Sequence, residues 1–398
     1  MTSAQPETDL PVMPAPRDSR CPLAPPPEFA QWRASGGLQK VSWNGKPTWL
    51  ISRYEDIRAA LVDTRLSANT MNFSTASGDA PVIFARIDDP EHNRLRRMMT
   101  RDFTFRRAEG MRPRIQQLVD GFLDDMVAAG PPADLVRALA LPVPSTVICL
   151  LLGVPYDDHA YFQQQSAAGL DSRSSPTEKL TAQVALYEYM VELVAHKERE
   201  PGDDLMSRLL TEHVATGELS RETAAMNGVI LLAAGHETTA SMIALGTVAL
   251  LQDPTLFAQL GQTEDPTVIA NIAEELTRYL TIVHSLVDRV ALEDLTIGGQ
   301  LIRTGETVLM NLPAGNRDPA FVADPDSFDA TRATRGHLSF GYGVHQCIGA
   351  NLARVELQVA LSSLARRLPT LSLAVPAAEL RFRNDKEIYG LDELPLSW

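Results

Sequence analysis

Cysteine is scarce: the 398 residues contain three, Cys21, Cys149 and Cys347. They are too few and too scattered for a disulfide framework or an iron–sulfur cluster, and a reducing, cytoplasmic setting fits. An excess of basic charge is also missing. The formal net charge of −14 argues against nucleic acid as a partner of the whole surface. The start of the chain lacks the basic and apolar regions of a secretory leader. No composition break, repeat or long polar tract divides the chain after its proline-rich start. Residues 1–27 are therefore expected to be partly disordered or laid along the surface, and residues 28–398 to form a single domain.

Long apolar runs are limited to one, Val229 to Leu251. His236 and Glu237 stand near its middle, where ionisable groups are costly in lipid. The run reads as the buried central helix of a large protein, with no membrane role.

What is present is mostly helical periodicity with small β pieces. Asn44-Gly45 between Gln39–Trp43 and Pro47–Ile51 predicts a hairpin. Tyr54 to Val62 reads as a helix, and Arg65 to Ile87 as an irregular, functional loop. From Pro90 to about Thr281 the pattern is helical, with breaks at Gly130-Pro131-Pro132, Gly153 to Pro155, Asp171 to Pro176 and Pro201-Gly202. Short β runs follow over Val290 to Met310, then a meander over Gly315 to Arg335, one more helix after Cys347, and a β-like tail near Glu387 to Leu396.

Cys347 closes a glycine-rich loop, Phe340-Gly341-Tyr342-Gly343-Val344-His345-Gln346-Cys347-Ile348-Gly349, just before a helix. A thiolate there gains from the helix dipole and from free backbone N–H groups. Glycines let the backbone approach something flat. A lone cysteine is more often a buried structural residue, but F-x-x-G-x-H-x-C-x-G arises by accident on the order of a few times in 10⁵ chains. An axial ligand to haem iron accounts for the pattern. A second motif, Ala234-Gly235-His236-Glu237-Thr238-Thr239, puts an acid beside an alcohol in an oily helix. The threonine hydroxyl can bond back to the Ala234 carbonyl and open a proton-delivery groove; a helix kink without chemistry is the alternative.

Together these motifs resemble the cytochrome P450 monooxygenases, and most closely their soluble actinobacterial members. The resemblance implies the fold of that family: mainly α with small β-sheets, a single triangular-prism-like domain around a long central helix. It implies haem b with Cys347 as axial thiolate, Glu237 as proton-relay acid and Thr238 as the alcohol that holds oxygen. Glu275 and Arg278, on one helical face, match the family's ion-paired Glu-x-x-Arg, with Arg332 of the meander as third member. Asn316-Arg317-Asp318-Pro319 matches a meander element of the actinobacterial members.

The resemblance gives the haem propionates to His92, Arg96, Arg289 and His345, through charge-assisted hydrogen bonds. Phe340, Gly341, Gly349 and Ala234 are to lie against the cofactor. Val82, Ala233, Ile282, Val283 and Ile388 are expected in the substrate pocket, whose apolar and small residues suit a medium-to-large hydrophobic molecule. His284 in the same region is a packing residue or a polar anchor. Eight arginines lie between Arg94 and Arg114. A solvated helix face is the plain account of them. Arg97 and Arg101 are alternatively a docking patch for an acidic electron donor.

The implied reaction is hydroxylation or epoxidation with O2 and electrons from a separate ferredoxin and ferredoxin reductase, by a monomer. Two rivals are a haem-binding sensor or carrier without turnover, and a peroxide-driven or oxidative-coupling enzyme on the same fold. The Glu237-Thr238 pair speaks against both.

Overall fold

Asn44 and Gly45 both take positive φ, 51° and 72°, as a two-residue hairpin turn requires. They join strands Leu38–Trp43 and Lys46–Ile51, paired from Leu38↔Ile51 to Trp43↔Lys46. The computed structural model describes residues 10–71, 81–155, 158, 161, 164–165, 175–332 and 334–398. Their elements are mainly helices, with small sheets, and they fall into two compact units.

The first unit comprises residues 1–70, 241–347 and 364–398. Its six-stranded sheet extends the hairpin: Lys46–Ile51 pairs in parallel with Thr307–Met310, and that strand antiparallel with Asp288–Ala291. Ile51, Ile57, Leu61, Ile302, Val308, Leu312 and Leu338 make a buried apolar cluster between this sheet and the helix Tyr54–Val62. Asp318 accepts a hydrogen bond at 3.0 Å from the Tyr54 N–H and so caps the helix from the meander.

The N-terminal segment departs from expectation. Residues 1–9 lie outside the described residues, but Val12–Met13 is a strand parallel to Leu38–Trp43, and Met13, Arg17 and Leu23 are buried. Proline content suggested surface placement. Apolar contacts at Met13 and Leu23, and the hydrogen bonds of Arg17, instead build the segment into the fold.

The second unit comprises residues 71–240 and 348–363. It holds helices Glu91–Thr100, Phe105–Ala129, Pro142–Leu152 and Pro176–Arg199. Ser175 and Glu178 form a reciprocal cap that starts the last of these. Breaks fall at Gly130, Gly153 and Pro201-Gly202 as the sequence predicts. Most of the expected break at Asp171 to Pro176 lies outside the described residues. The 31-residue helix Arg221–Leu251 is long and apolar enough to cross a membrane, but 67 % of its most apolar window is buried in the protein. Its breadth of apolar surface is that of a core helix.

Candidate haem-thiolate site

The cysteine loop belongs to the first unit and is held from several sides. Leu338–Phe340 and Gly343–His345 are single 3₁₀ turns, and the Cys347 N–H donates to the Phe340 carbonyl at 2.8 Å. Gly341 and Gly343 take φ of 70° and 75°. For Gly341 the backbone angle alone selects glycine, since a Cβ would meet nothing closer than 4.0 Å. Gly343 is also crowded: a Cβ would lie 2.9 Å from Val62 and 3.1 Å from the Leu61 carbonyl. Arg58 donates to the Tyr342 hydroxyl at 2.7 Å and lies over its ring. These contacts seat the loop on the end of the helix Tyr54–Val62.

A second anchor comes from the meander. The Asn316 side chain donates to Thr281 Oγ1 at 2.8 Å and Ser339 Oγ at 2.9 Å, and accepts from the Leu338 N–H at 2.6 Å. Ser339 in turn donates to the Thr277 carbonyl at 2.7 Å. The start of the cysteine loop is thus tied to the helix Pro266–Leu280 through one amide. On that helix Glu275 and Arg278 pair twice, at 2.7 and 2.8 Å, both fully buried. Arg278 also donates to the carbonyls of Asn316, Pro325 and Ser327. Arg332 stands 3.8 Å from Glu275, so the meander does bring the three predicted members together.

Of the remaining predicted residues in this unit, Arg289 is buried and donates to the Asp288 carbonyl, while Phe340 and His345 are half-buried. Ile282 is buried; Val283 and Ile388 are half-buried and face each other in an antiparallel bridge. His284 is fully buried and stacks on Tyr389, so packing is the better account of it.

In the second unit, Thr238 Oγ1 donates to the Ala234 carbonyl at 2.7 Å, the bond the motif predicts. Ala234 is exposed and Ala233, Gly235 and Thr238 are half-buried, although their neighbours Leu232, His236 and Glu237 are buried. Four residues per turn place Ala234 and Thr238 on one open strip of a helix otherwise packed in core. Gly349 is half-buried ahead of the helix Ala350–Arg367. On that helix Glu356 is fully buried, and burial pushes its carboxyl up to about 8.

His92 is buried, and its Nδ1 lies 2.7 Å from the Phe84 carbonyl. A carbonyl only accepts, so that nitrogen carries a proton. Phe84 is placed in turn by Asn227, which takes its N–H at 2.9 Å and donates to the Val82 carbonyl at 2.8 Å. Val82 is half-buried, as is Arg96, one turn after His92. The basic island is partly neutralised: Arg94 pairs with Glu91, Arg101 with Glu212 at 3.4 Å, and Arg112 with Glu109. Arg97 is exposed and donates to the Asn93 carbonyl.

Asn316, Ser339, Arg58, Asn227 and Arg17 carry no motif and escaped sequence reasoning. Only the Asn316-Arg317-Asp318-Pro319 string pointed to one of them. The donor set fits a haem. Free cysteines are usually buried, yet the Cys347 thiol is exposed at the end of a rigid loop, and the strip at Ala234 and Thr238 leaves a helix face bare.

The comparisons agree with that fit. The family model for Cytochrome P450 matches residues 32–194 and 172–372. Cytochrome P450 GfsF of Streptomyces halstedii is 46% identical, over 100% of this chain and 98% of the relative. Its crystal structure superposes with a TM-score of 0.91, covering 98% of this chain and 100% of that one. Pentalenic acid synthase of Streptomyces avermitilis is 43% identical over 96% of each chain. The structure of mycinamicin VIII C21 methyl hydroxylase of Micromonospora griseorubida, bound to mycinamicin VIII, is 40% identical with a TM-score of 0.89, over 98% of this chain and 100% of that one. With its matches running from end to end, this chain belongs to the cytochrome P450 family of haem-thiolate monooxygenases.

Proposed function

We propose that the chain hydroxylates, or epoxidises, a medium-to-large hydrophobic secondary metabolite in the cytoplasm, as a monomer supplied with electrons by a separate ferredoxin and ferredoxin reductase. Both units serve one catalytic domain in this reading. The observation that carries it is the exposed Cys347 thiol on a loop tied to the Tyr54–Val62 helix, the meander and the Pro266–Leu280 helix. Relatives bearing the names pentalenic acid synthase and mycinamicin VIII C21 methyl hydroxylase support the substrate class.

Haem b, when bound, supplies oxygen activation and electron push from its thiolate. Cys347 Sγ is the axial ligand, with Phe340, Gly341, Gly349 and Ala234 packed on the ring. Arg96, Arg289, His345 and His92 bind the propionates. With Nδ1 committed to the Phe84 carbonyl, His92 donates to a carboxylate through Nε2 only as the imidazolium. Thr238 Oγ1 and the Glu237 carboxyl deliver protons. Glu275, Arg278 and Arg332 hold the meander, and through Asn316 the cysteine loop. Val82, Ala233, Ile282, Val283 and Ile388 orient the substrate and exclude water, while Arg97 and Arg101 meet the acidic electron donor.

The test is the absorption spectrum of the dithionite-reduced protein under carbon monoxide. A strongly red-shifted Soret band, lost in Cys347→Ser, is expected. A histidine-like carbonyl spectrum in the native, active protein, or purification without haem, would refute the assignment and return the chain to a binding role.

A further inference from the structure

Arg17 is buried, yet among the described residues no carboxylate pairs with it. A guanidinium removed from water is costly unless its donors are satisfied. Here Nη1 donates to the Leu23 carbonyl at 3.0 Å and Nη2 to the Leu280 carbonyl at 3.0 Å. Nε and Nη2 both donate to His284 Nε2, at 3.2 and 2.7 Å. The Arg17 backbone N–H donates to Asn384 Oδ1 at 3.1 Å. The guanidinium lies 4.0 Å above the Tyr389 ring, whose hydroxyl donates to the Pro22 carbonyl at 2.8 Å. One side chain near the start of the sequence therefore joins the chain at 280–284 to the chain at 384–389.

Between those two segments the backbone has little of its own. Their link is a single antiparallel bridge, Val283↔Ile388, with hydrogen bonds from the His284 N–H to Glu387 and from the Tyr389 N–H to Ile282, each 2.8 Å. A bridge of one pair is marginal alone. The chain also enters the first segment through Thr281, a non-glycine residue at φ 36°, a conformation the surroundings must hold. Arg17 supplies that support: it clamps His284 from one side and covers Tyr389, on which His284 stacks at 5.1 Å.

We propose that Arg17 is a positioning residue for substrate binding, holding Ile282, Val283 and Ile388 in the register that shapes the substrate wall. The proposal rests on the reading above that these three residues face the substrate. Lysine cannot replace the arginine, because a point charge does not satisfy His284, Leu23 and Leu280 together.

The test uses the haem-loaded full chain with two probes, imidazole and 1-phenylimidazole, titrated by their spectral shifts, and amide hydrogen exchange over residues 280–290 and 384–392. Arg17→Met keeps an apolar stem and removes the donors. It is expected to weaken 1-phenylimidazole at least about fivefold, leave imidazole and the reduced carbonyl spectrum unchanged, and speed exchange in those two segments alone. His284→Leu, which removes only the acceptor, should act in the same direction. Unchanged 1-phenylimidazole affinity in Arg17→Met, with Val283→Ala weakening it, would refute the arginine's role and keep the wall. Unchanged affinity in Val283→Ala as well would refute the wall, and the proposal with it. Exchange accelerated throughout the chain in both Arg17→Met and His284→Leu would also overturn it, since Arg17 would then support the whole fold.

Discussion

Glu275 takes both arms of the Arg278 guanidinium, at 2.7 and 2.8 Å, and neither side chain is exposed. Removing one partner of such a pair strands the other charge, at about 3–5 kcal/mol. Glu275→Gln and Arg278→Ala should each lower stability on that scale and reduce haem content, measured by denaturant unfolding and the haem-to-protein absorbance ratio. Arg278→Lys should not rescue, because three backbone carbonyls and a carboxylate are matched to the guanidinium fork. Full haem content in Arg278→Lys would contradict a positioning role for this pair.

Thr238 spends its hydroxyl proton on the Ala234 carbonyl, leaving its oxygen as an acceptor on the open strip. Thr238→Ala removes that oxygen and one bond whose net worth is about 1 kcal/mol, so folding and haem binding should survive. The expected loss is in coupling: electrons consumed per product rise several-fold and hydrogen peroxide accumulates. Stoichiometry of product, peroxide and reductant decides it, and full coupling in the variant would remove Thr238 from the proton path.

Gly343 and Gly299 share a positive φ, 75° and 82°, but only Gly343 is crowded. Gly299→Ala meets the backbone penalty alone, about 1–2 kcal/mol. Gly343→Ala adds a clash with Val62 and with the Leu61 carbonyl, which as backbone yields little. The second variant should be the less stable by at least about 1 kcal/mol and should broaden the reduced carbonyl band. Equal losses would mean that the loop does not lean on the helix Tyr54–Val62.

These contrasts show which features a sequence exposes. Cys347, Thr238 and Glu275 with Arg278 were legible because their chemistry demands fixed residue types at fixed spacings, and the hairpin because Asn-Gly permits one turn. Asn316 and Asn227 were legible only as polar residues in unremarkable places. Their roles come from partners 22 to 62 and 143 to 145 positions away along these hydrogen-bond networks. Arg17 reversed expectation for the same reason: proline-rich composition reports local stiffness, whereas its burial depends on segments more than 260 residues distant.

Arg97 and Arg101 differ in surroundings, and reduction kinetics should separate them. Arg101 already faces Glu212 at 3.4 Å, while Arg97 is exposed with a backbone carbonyl as its acceptor. A rim charge acts mainly on association rate and salt dependence. Arg97→Glu should therefore slow reduction by an acidic ferredoxin and flatten its dependence on ionic strength, and Arg101→Glu should do so less. Unchanged stopped-flow rates in both would dismiss this patch as the docking surface.

Glu356 carries the clearest pH prediction. Burial alone raises its carboxyl from an ordinary 4.5 to about 8, and its Oε2 has no hydrogen-bond partner among the described residues. Between those values the folded protein keeps a proton that the unfolded chain has released. Stability is therefore fully present below about pH 4.5 and is lost as pH rises towards 8. The loss across the window is on the order of 4 kcal/mol. Glu356→Gln has nearly the same shape and no charge to release, so its stability should exceed that of the parent at pH 8 by more than at pH 5. Denaturant unfolding of both proteins at the two pH values makes the comparison, with other titrating groups cancelling between them. An equal difference at pH 5 and pH 8 would mean that Glu356 is ionised in the folded protein, with a compensating partner inside the unit.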